Sequence, residues 1–424
     1  MLKTGTPFKH TFSHLIALKH NSRTFLATRN LSRDAGLPLL SKSNNYREVL
    51  ERIVPRLEGH PLPLPAHAPL RFVDRVREAK AVLDESEKAV LNGMITVLYG
   101  PKGCGKTSLF KALHDIVTSM EDADVDVVIV GSEKEAWRAE KLYAPKSLGE
   151  ILKEVKGILG FDISSTGEVT SSLAVDATKI ISLMVGYIAQ MLRSKRKIVI
   201  VLDEVKADSG ERLAEFRGWL EGFANTLKWD TGKYWMEKGG SISVVALTSD
   251  AMVKEIRNRV GSKVNWALMW NLPYNAMMEL AEQLNLSIDP ELLWRLTGGN
   301  PRALINIKVA GLKEWVKSDV IRRLVDALED ASTSIPGDKL WVEVERAVDN
   351  IDVAHVHLKT AMLRHNVAVY VAGGVPISEL PREDWVREYY AYQMPAFYHA
   401  LRVALARRSP YVTPDDVIRE AGRS

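Results

Sequence analysis

Short apolar runs alternate along the chain with segments whose apolar positions recur every three or four residues. "MITVLY" (94–99), "VDVVIVG" (125–131), "KIVIVL" (197–202), "ISVVALT" (242–248) and "VNWALMW" (264–270) are almost wholly apolar and of strand length, the pattern of strands buried on both faces. The spacing predicts helices over 106–119, around 147–156, and over 173–193, 211–227 and about 250–259. "DRVREAKAVLDESEKAVL", before the first strand, reads as an amphipathic helix with its charges outside. Strands joined by helical crossovers predict an α/β fold: a parallel sheet covered on both faces. From 274 to 330 the pattern is purely helical. "SIPGDK" (334–339) breaks it, and the rest is mostly helical with one strand candidate, "VAVYVAG" (367–373).

"GHPLPLPAHAPLR" (59–71) carries proline at alternate positions and predicts an extended linker. The chain therefore divides into a basic arm with its linker (1–65), a core (66–272), a helical segment (273–333) and a C-terminal domain (334–424).

With 46% of 424 residues hydrophobic, the chain can bury one large core or two to three smaller ones. The formal net charge of +4 is unevenly spread. Residues 1–47 hold eight Lys/Arg and one acid, Asp34, leaving 49 basic against 52 acidic residues elsewhere. A basic arm suits nucleic-acid phosphates or an acidic partner, and a plainly solvated run is the simpler account. Its Ser- and Arg-rich makeup is also that of a transit segment. The longest apolar run, "IISLMVGYIAQML" (180–192), has 13 residues, too few to span a bilayer, and reads as a buried helix. Cys104 is the only cysteine, which excludes a disulfide within the chain and fits a reducing cytoplasm.

Candidate chemistry gathers at the strand ends. "YGPKGCGKTSLF" carries G-x-x-x-x-G-K-T over 100–107, after a strand and opening a helix. Glycines let successive N–H groups turn toward one anion, and the helix terminus adds partial positive charge. Gly100, Pro101, Lys102, Gly103, Cys104, Gly105, Lys106, Thr107 and Ser108 form this candidate cradle. Lys106 is the candidate for the β- and γ-phosphates and Thr107 for Mg²⁺. Cys104 is either a small filler or a thiol activated by the helix terminus. "IVIVLDE" ends in Asp203, a candidate metal ligand, and Glu204, which can polarise an attacking water. The strand "VVALTSD" ends in Thr248, Ser249 and Asp250; it is expected between the other two, with Thr248 near the γ-phosphate or acting as a helix cap.

In "RLTGGNPRALINI" (295–307), Asn300 suits an N-cap and Pro301 the first helical position. Arg302 then falls in the first turn, where the helix dipole disfavours a cation. A solvated surface arginine is the local account of it.

Together, "RFVDRVREAKAVL", "YGPKGCGKTSLFKAL", "IVIVLDE", "VVALTSD" and "LTGGNPRALIN" resemble the AAA+-related archaeal ATPase family, within the STAND class of P-loop NTPases and akin to origin-recognition ATPases, over about 72–310. The resemblance implies a P-loop NTPase sheet, a helical lid over 273–333 and a helical or winged-helix C-terminal domain. It implies Mg-dependent binding and hydrolysis of ATP as a conformational switch, with Arg302 turned back to the phosphates. The family's first box usually reads Phe-Val-Gly-Arg-Glu and helps seat the base; here Asp74 takes the Gly place and Val76 the Glu place. The alternatives are a DNA-binding ATPase gripping nucleic acid through arm and C-terminal domain, and a non-hydrolysing nucleotide-gated scaffold. A second copy or another protein is a further candidate partner.

Other conspicuous residues have plainer readings. Trp219, Trp229, Trp235, Trp266 and Trp270 read as core rather than base-stacking groups. Arg257 and Arg259 read as salt-bridge formers before they read as fingers for a neighbour's nucleotide. His355, His357 and His365 lack the partners of a zinc set.

Overall fold

The computed structural model describes residues 51–62, 70–92, 94–120, 125–131, 138–139, 141–143, 162–163, 169–170, 175–176, 197–203, 241–248 and 263–423, with single positions at 123, 218, 253, 254 and 257. All lie in one unit, Asn45–Ser424.

Strands β1 (Ile95–Tyr99), β2 (Val125–Gly131), β3 (Lys141–Tyr143), β4 (Lys197–Asp203), β5 (Ser241–Thr248) and β6 (Val264–Leu268) precede β7 (Ala368–Tyr370), β8 (Val375–Pro376) and β9 (Tyr390–Tyr392). One sheet takes seven of them in the order β8-β6-β1-β5-β4-β2-β3. Every neighbouring pair is parallel except the β2–β3 edge. All five expected strands form, and β5 lies between β1 and β4 as the sequence predicts. This is the P-loop NTPase-like α/β fold.

Helices α1 (Val76–Leu91) and α2 (Lys106–Ser119) cover one face. Alternate strand positions Val125, Val127, Ile129, Val199, Val201, Val245 and Leu247 pack there with Phe110, Leu113 and Ile116. The intervening positions Val128, Val130, Ile198, Ile200, Val244 and Ala246 belong to a second apolar cluster that runs on through the helices after β6. The two-residue period of a strand thus gives each face its own core. Ile53, Val54 and Leu57, on the N-terminal side of the Pro-rich segment, are buried in the first cluster, so packing extends upstream of residue 66. Within the Pro-rich segment, Pro61–Leu62 pairs antiparallel with Leu70–Arg71.

After β6 come α3 (Tyr274–Gln283), α4 (Pro290–Thr297), α5 (Pro301–Ala310) and α6, which runs from 312 to 332 with a π-helical middle at Val316–Ile321. Next are α7 (Gly337–Asn350), α8 (Val356–Arg364), α9 (Pro395–Arg407) and α10 (Pro414–Arg423). Strands β7 and β9 pair antiparallel between α8 and α9. The aromatic stretch around 387–408 serves packing: Tyr390, Tyr392 and Phe397 are buried, and the Tyr392 hydroxyl donates to the Ala347 carbonyl at 2.8 Å. Trp266 and Trp270 are core residues as expected, while Trp219, Trp229 and Trp235 lie outside the described residues. One expectation is corrected: Val175–Asp176, inside the stretch read as helix 173–193, pairs antiparallel with Arg138–Ala139. The β-branched Val175 and its ladder partner override a helical period that continues beyond them. The predicted helices 147–156 and 211–227, and most of 173–193 and 250–259, lie outside the described residues. Among those described, no helix is long and apolar enough to cross a membrane.

His399 on α9 gives the fold a pH dependence. Its Nδ1 is buried without a hydrogen-bond partner among the described residues. Burial, aided by the charges of Arg402 and Arg295, pushes its pKa down to about 4. The folded protein keeps this ring neutral, whereas the unfolded chain takes up a proton below about pH 6.5. Stability from this group is therefore whole above that pH and falls by up to about 3 kcal/mol as pH drops toward 4. Denaturant unfolding at stepped pH is expected to show this slope, and His399→Phe to flatten it.

Candidate functional site

The C-terminal ends of β1, β5 and β4 lie side by side, and the loop after β1 carries the phosphate-cradle motif into α2. Thr248, buried at the end of β5, pairs in register with Tyr99, the residue before Gly100. Asp203 closes β4 and accepts a hydrogen bond from the Thr107 hydroxyl at 2.7 Å, across 96 positions of sequence. Lys106 is buried at the start of α2, its ammonium donating to the carbonyls of Gly100 (3.0 Å) and Pro101 (3.1 Å). The cation is thus held at the mouth of the loop. Glu204 and Ser249, each one residue past a strand end, lie outside the described residues, as do Asp250 and Arg259.

The loop presses closely on the start of α5. Gly103 has φ +88°, and a Cβ there would meet the Cβ of Arg302 at 2.6 Å, so glycine is required on two counts. Cys104 is buried with its thiol near the Met269 carbonyl and the Lys106 ammonium, each at 3.6 Å. Its position is that of a filler.

Asn300 caps α5 as its sequence predicts, accepting from the Ala303 N–H at 3.1 Å. The glycine pair before it does more than turn. A Cβ on Gly299 would lie 1.9 Å from the Leu272 carbonyl, and the two residues are joined by a Leu272 N–H to Gly299 carbonyl bond of 3.0 Å. This stitch brings the start of α5 onto the cradle, where the Arg302 N–H donates to the Gly103 carbonyl at 3.4 Å. The Arg302 side chain is exposed and makes no hydrogen bond or ion pair among the described residues. Asp319, on α6, accepts from Arg323 at 3.0 Å and from Asn306 at 3.0 Å. Burial, with the Arg302 charge adding to it, holds the Arg323 guanidinium below its ordinary range against the pull of Asp319. An arginine beside a phosphate cradle without an internal counter-ion is available to an anion.

One anchor of the cradle lies in the first box, whose expected task is to help seat the base. Asp74 and Arg75 have φ of 55° and 78°, so two successive non-glycine residues turn left-handed. That turn sends the Arg75 guanidinium inward, to the carbonyls of Cys104 (2.9 Å) and Trp270 (2.8 Å) and to Glu78 (2.9 Å). Glu78 also accepts from the Ser378 hydroxyl at 3.0 Å. A family Gly at position 74 was the signal that this backbone needs positive φ. Gln393, which reaches the cradle at Lys102, and Asn271, which bonds both Gln393 and Asn300, carried no sequence signal.

The remaining candidates have structural partners. Arg257 donates to the Ala372 carbonyl at 2.9 Å. His355 caps α8 and His365 pairs with Asp330. Among the described residues no group of three or more His, Cys, Asp or Glu could hold a metal. The hydroxyl and carboxylate of Thr107 and Asp203 are instead the sparse oxygen donors that suit Mg²⁺, an ion that keeps several of its waters.

The model of one protein family, an ATPase domain predominantly from Archaea, matches residues 72–307. No curated protein matches the chain. Among solved structures, AMPPCP-bound DnaA from Aquifex aeolicus is 15% identical, with 68% of this chain and 86% of that chain covered and a TM-score of 0.29. Replication initiator DnaA bound to AMPPCP and single-stranded DNA gives 13%, 68%, 86% and 0.29. Drosophila ORC bound to AT-rich DNA and Cdc6 gives 12%, 77%, 51% and 0.31. Superpositions this loose assign nothing to this chain.

Proposed function

Because this chain belongs to the family of ATPase domains found predominantly in Archaea, we propose that it binds Mg-ATP between the sheet edge and the helical lid, hydrolyses it, and uses the cycle as a conformational switch. The observation that carries this reading is the 2.7 Å bond between Thr107 and Asp203, which joins the cradle's hydroxyl to the acidic strand end. The backbone N–H groups of 103–108 cradle the phosphates. Lys106 exchanges the carbonyls of Gly100 and Pro101 for phosphate oxygens. Thr107 and Asp203 hold the metal. Magnesium bound there neutralises charge on the β- and γ-phosphates. Glu204 orients and polarises the attacking water, Thr248 hydrogen-bonds the γ-phosphate or that water, and Arg302 meets the terminal phosphate from the lid. The three-part division into core, lid (273–333) and C-terminal domain (334–424) belongs to the same proposal.

Phosphate release by the full chain, with and without Mg²⁺ and duplex DNA, tests it. Mg-dependent release is the expected result. Binding without release overturns hydrolysis in favour of a nucleotide-gated scaffold, and no binding overturns the whole reading. Stimulation by DNA that falls with salt and disappears on removal of residues 1–60 would identify nucleic acid as the partner.

A further inference from the structure

Lys102, inside the cradle, is gripped through both of its main-chain groups. On one side, the Lys102 carbonyl accepts from the Asn300 side-chain amide at 3.1 Å. On the other, the Lys102 N–H donates to Oε1 of Gln393 at 3.0 Å. Gln393 lies between β9 and α9, 291 positions downstream of the loop. The two grips are themselves linked through Asn271, just past β6. Its Oδ1 accepts from the Asn300 amide at 2.9 Å, and its Nδ2 donates to the Gln393 carbonyl at 3.0 Å.

Gln393 is 3% exposed, and its hydrogen-bonding groups are all engaged. Its backbone N–H donates to the Val367 carbonyl at 3.0 Å, and its Nε2 faces the Ala368 carbonyl and Asn366 Oδ1, both at 3.4 Å. A buried amide network with every member satisfied is rigid, and a change at one end is felt at the other. Three amide side chains thus tie the phosphate loop to the start of α5 and to the β7–β9 hairpin.

We propose that Gln393 is a positioning residue of the nucleotide site, through which the C-terminal hairpin sets the phosphate loop and senses its occupancy. The proposal rests on the nucleotide reading above and adds the route by which that site is coupled to the C-terminal region. Phosphate entry reorients the N–H groups of the loop, and the Pro101–Lys102 peptide cannot turn without shifting Gln393 or losing its bond. Movement of the hairpin, conversely, changes how well the loop is held open for phosphate. The relation is reciprocal, as any coupling of two binding or conformational events must be.

Gln393→Met keeps the volume and removes the acceptor, and Gln393→Glu restores an acceptor for the Lys102 N–H. The full-length wild type and both variants are compared by hydrogen exchange of peptides covering 100–105 and 388–394, with and without Mg-AMPPCP, and by titration with the same nucleotide. In wild type, nucleotide is expected to alter exchange at 388–394 as well as at the loop. Gln393→Met is expected to speed loop exchange without nucleotide, to weaken binding about tenfold, the size of one neutral hydrogen bond, and to abolish the response at 388–394. Gln393→Glu is expected to recover loop protection but not affinity, because its charge faces the phosphates; a merely structural side chain would move both together. If wild type binds nucleotide and Gln393→Met changes neither loop exchange nor affinity, the positioning role is overturned while the ATP reading stands. If wild type binds none, the ATP reading fails and this proposal fails with it.

Discussion

Lys106→Ala is expected to weaken Mg-ATP binding by about two to three orders of magnitude while leaving the protein folded. The ammonium is buried at the cradle mouth, where it donates to the main-chain carbonyls of Gly100 and Pro101 and lies beside the Cys104 thiol. Those acceptors are neutral carbonyls, which a triphosphate can outbid because it brings full negative charge to the ammonium. Losing two bonds to phosphate, at about 1.5–3 kcal/mol each, gives the stated range, with part offset by water entering the space. Titration with a fluorescent ATP analogue measures it. Glu204→Gln supplies the contrast: with the carboxylate's proposed role in polarising water, the variant is expected to keep affinity near wild type and to lose turnover. A Lys106→Ala protein that binds within a fewfold of wild type would take the phosphates away from this loop.

Arg75→Met is expected to cost about 3–5 kcal/mol, the range for breaking a buried ion pair and stranding one charge. Arg75 and Glu78 are 2% and 7% exposed at their side chains, which shields the pair from solvent. The loss reaches the site as well, since Arg75 carries a carbonyl of the cradle, that of Cys104. Adding Glu78→Leu should recover only part of the stability, by removing the stranded carboxylate. Recovery is expected to stop short of wild type, because the carbonyls of Cys104 and Trp270 remain without their donor at about 1–3 kcal/mol each. Urea unfolding of the single and double variants measures both effects. A single variant that loses less than about 1 kcal/mol would mean that the pair is solvated.

What was legible in the sequence was whatever local physics fixes. Parallel strands buried on both faces must be unbroken apolar runs, so β1, β2, β4, β5 and β6 could be read within a few residues. Helix α2 was read to the residue, Lys106–Ser119, because its motif specifies the turn that starts it. The cap at Asn300 and the turn at Gly298 and Gly299 have the same local origin. What escaped was decided at long range or against propensity. Gln393 and Asn271 join the site through single contacts that leave no period. Arg75 points inward only because two non-glycine residues accept positive φ. Strand β8 has two residues, one of them Pro376, directly after Gly373 and Gly374, and reads as loop; proline in a sheet is confined to such edges.

That short strand bears on how the protein is made. It pairs Val375 with Ala267 and Pro376 with Leu268, so the edge beside β6 is closed by chain emerging from the ribosome more than a hundred residues after the strand it covers. Until then the nascent ATPase half carries an open, apolar sheet edge, the kind of surface that invites association between unfinished chains. Completion of the sheet therefore waits on synthesis of residues 375 and 376, and a chain interrupted before them is expected to be prone to aggregate.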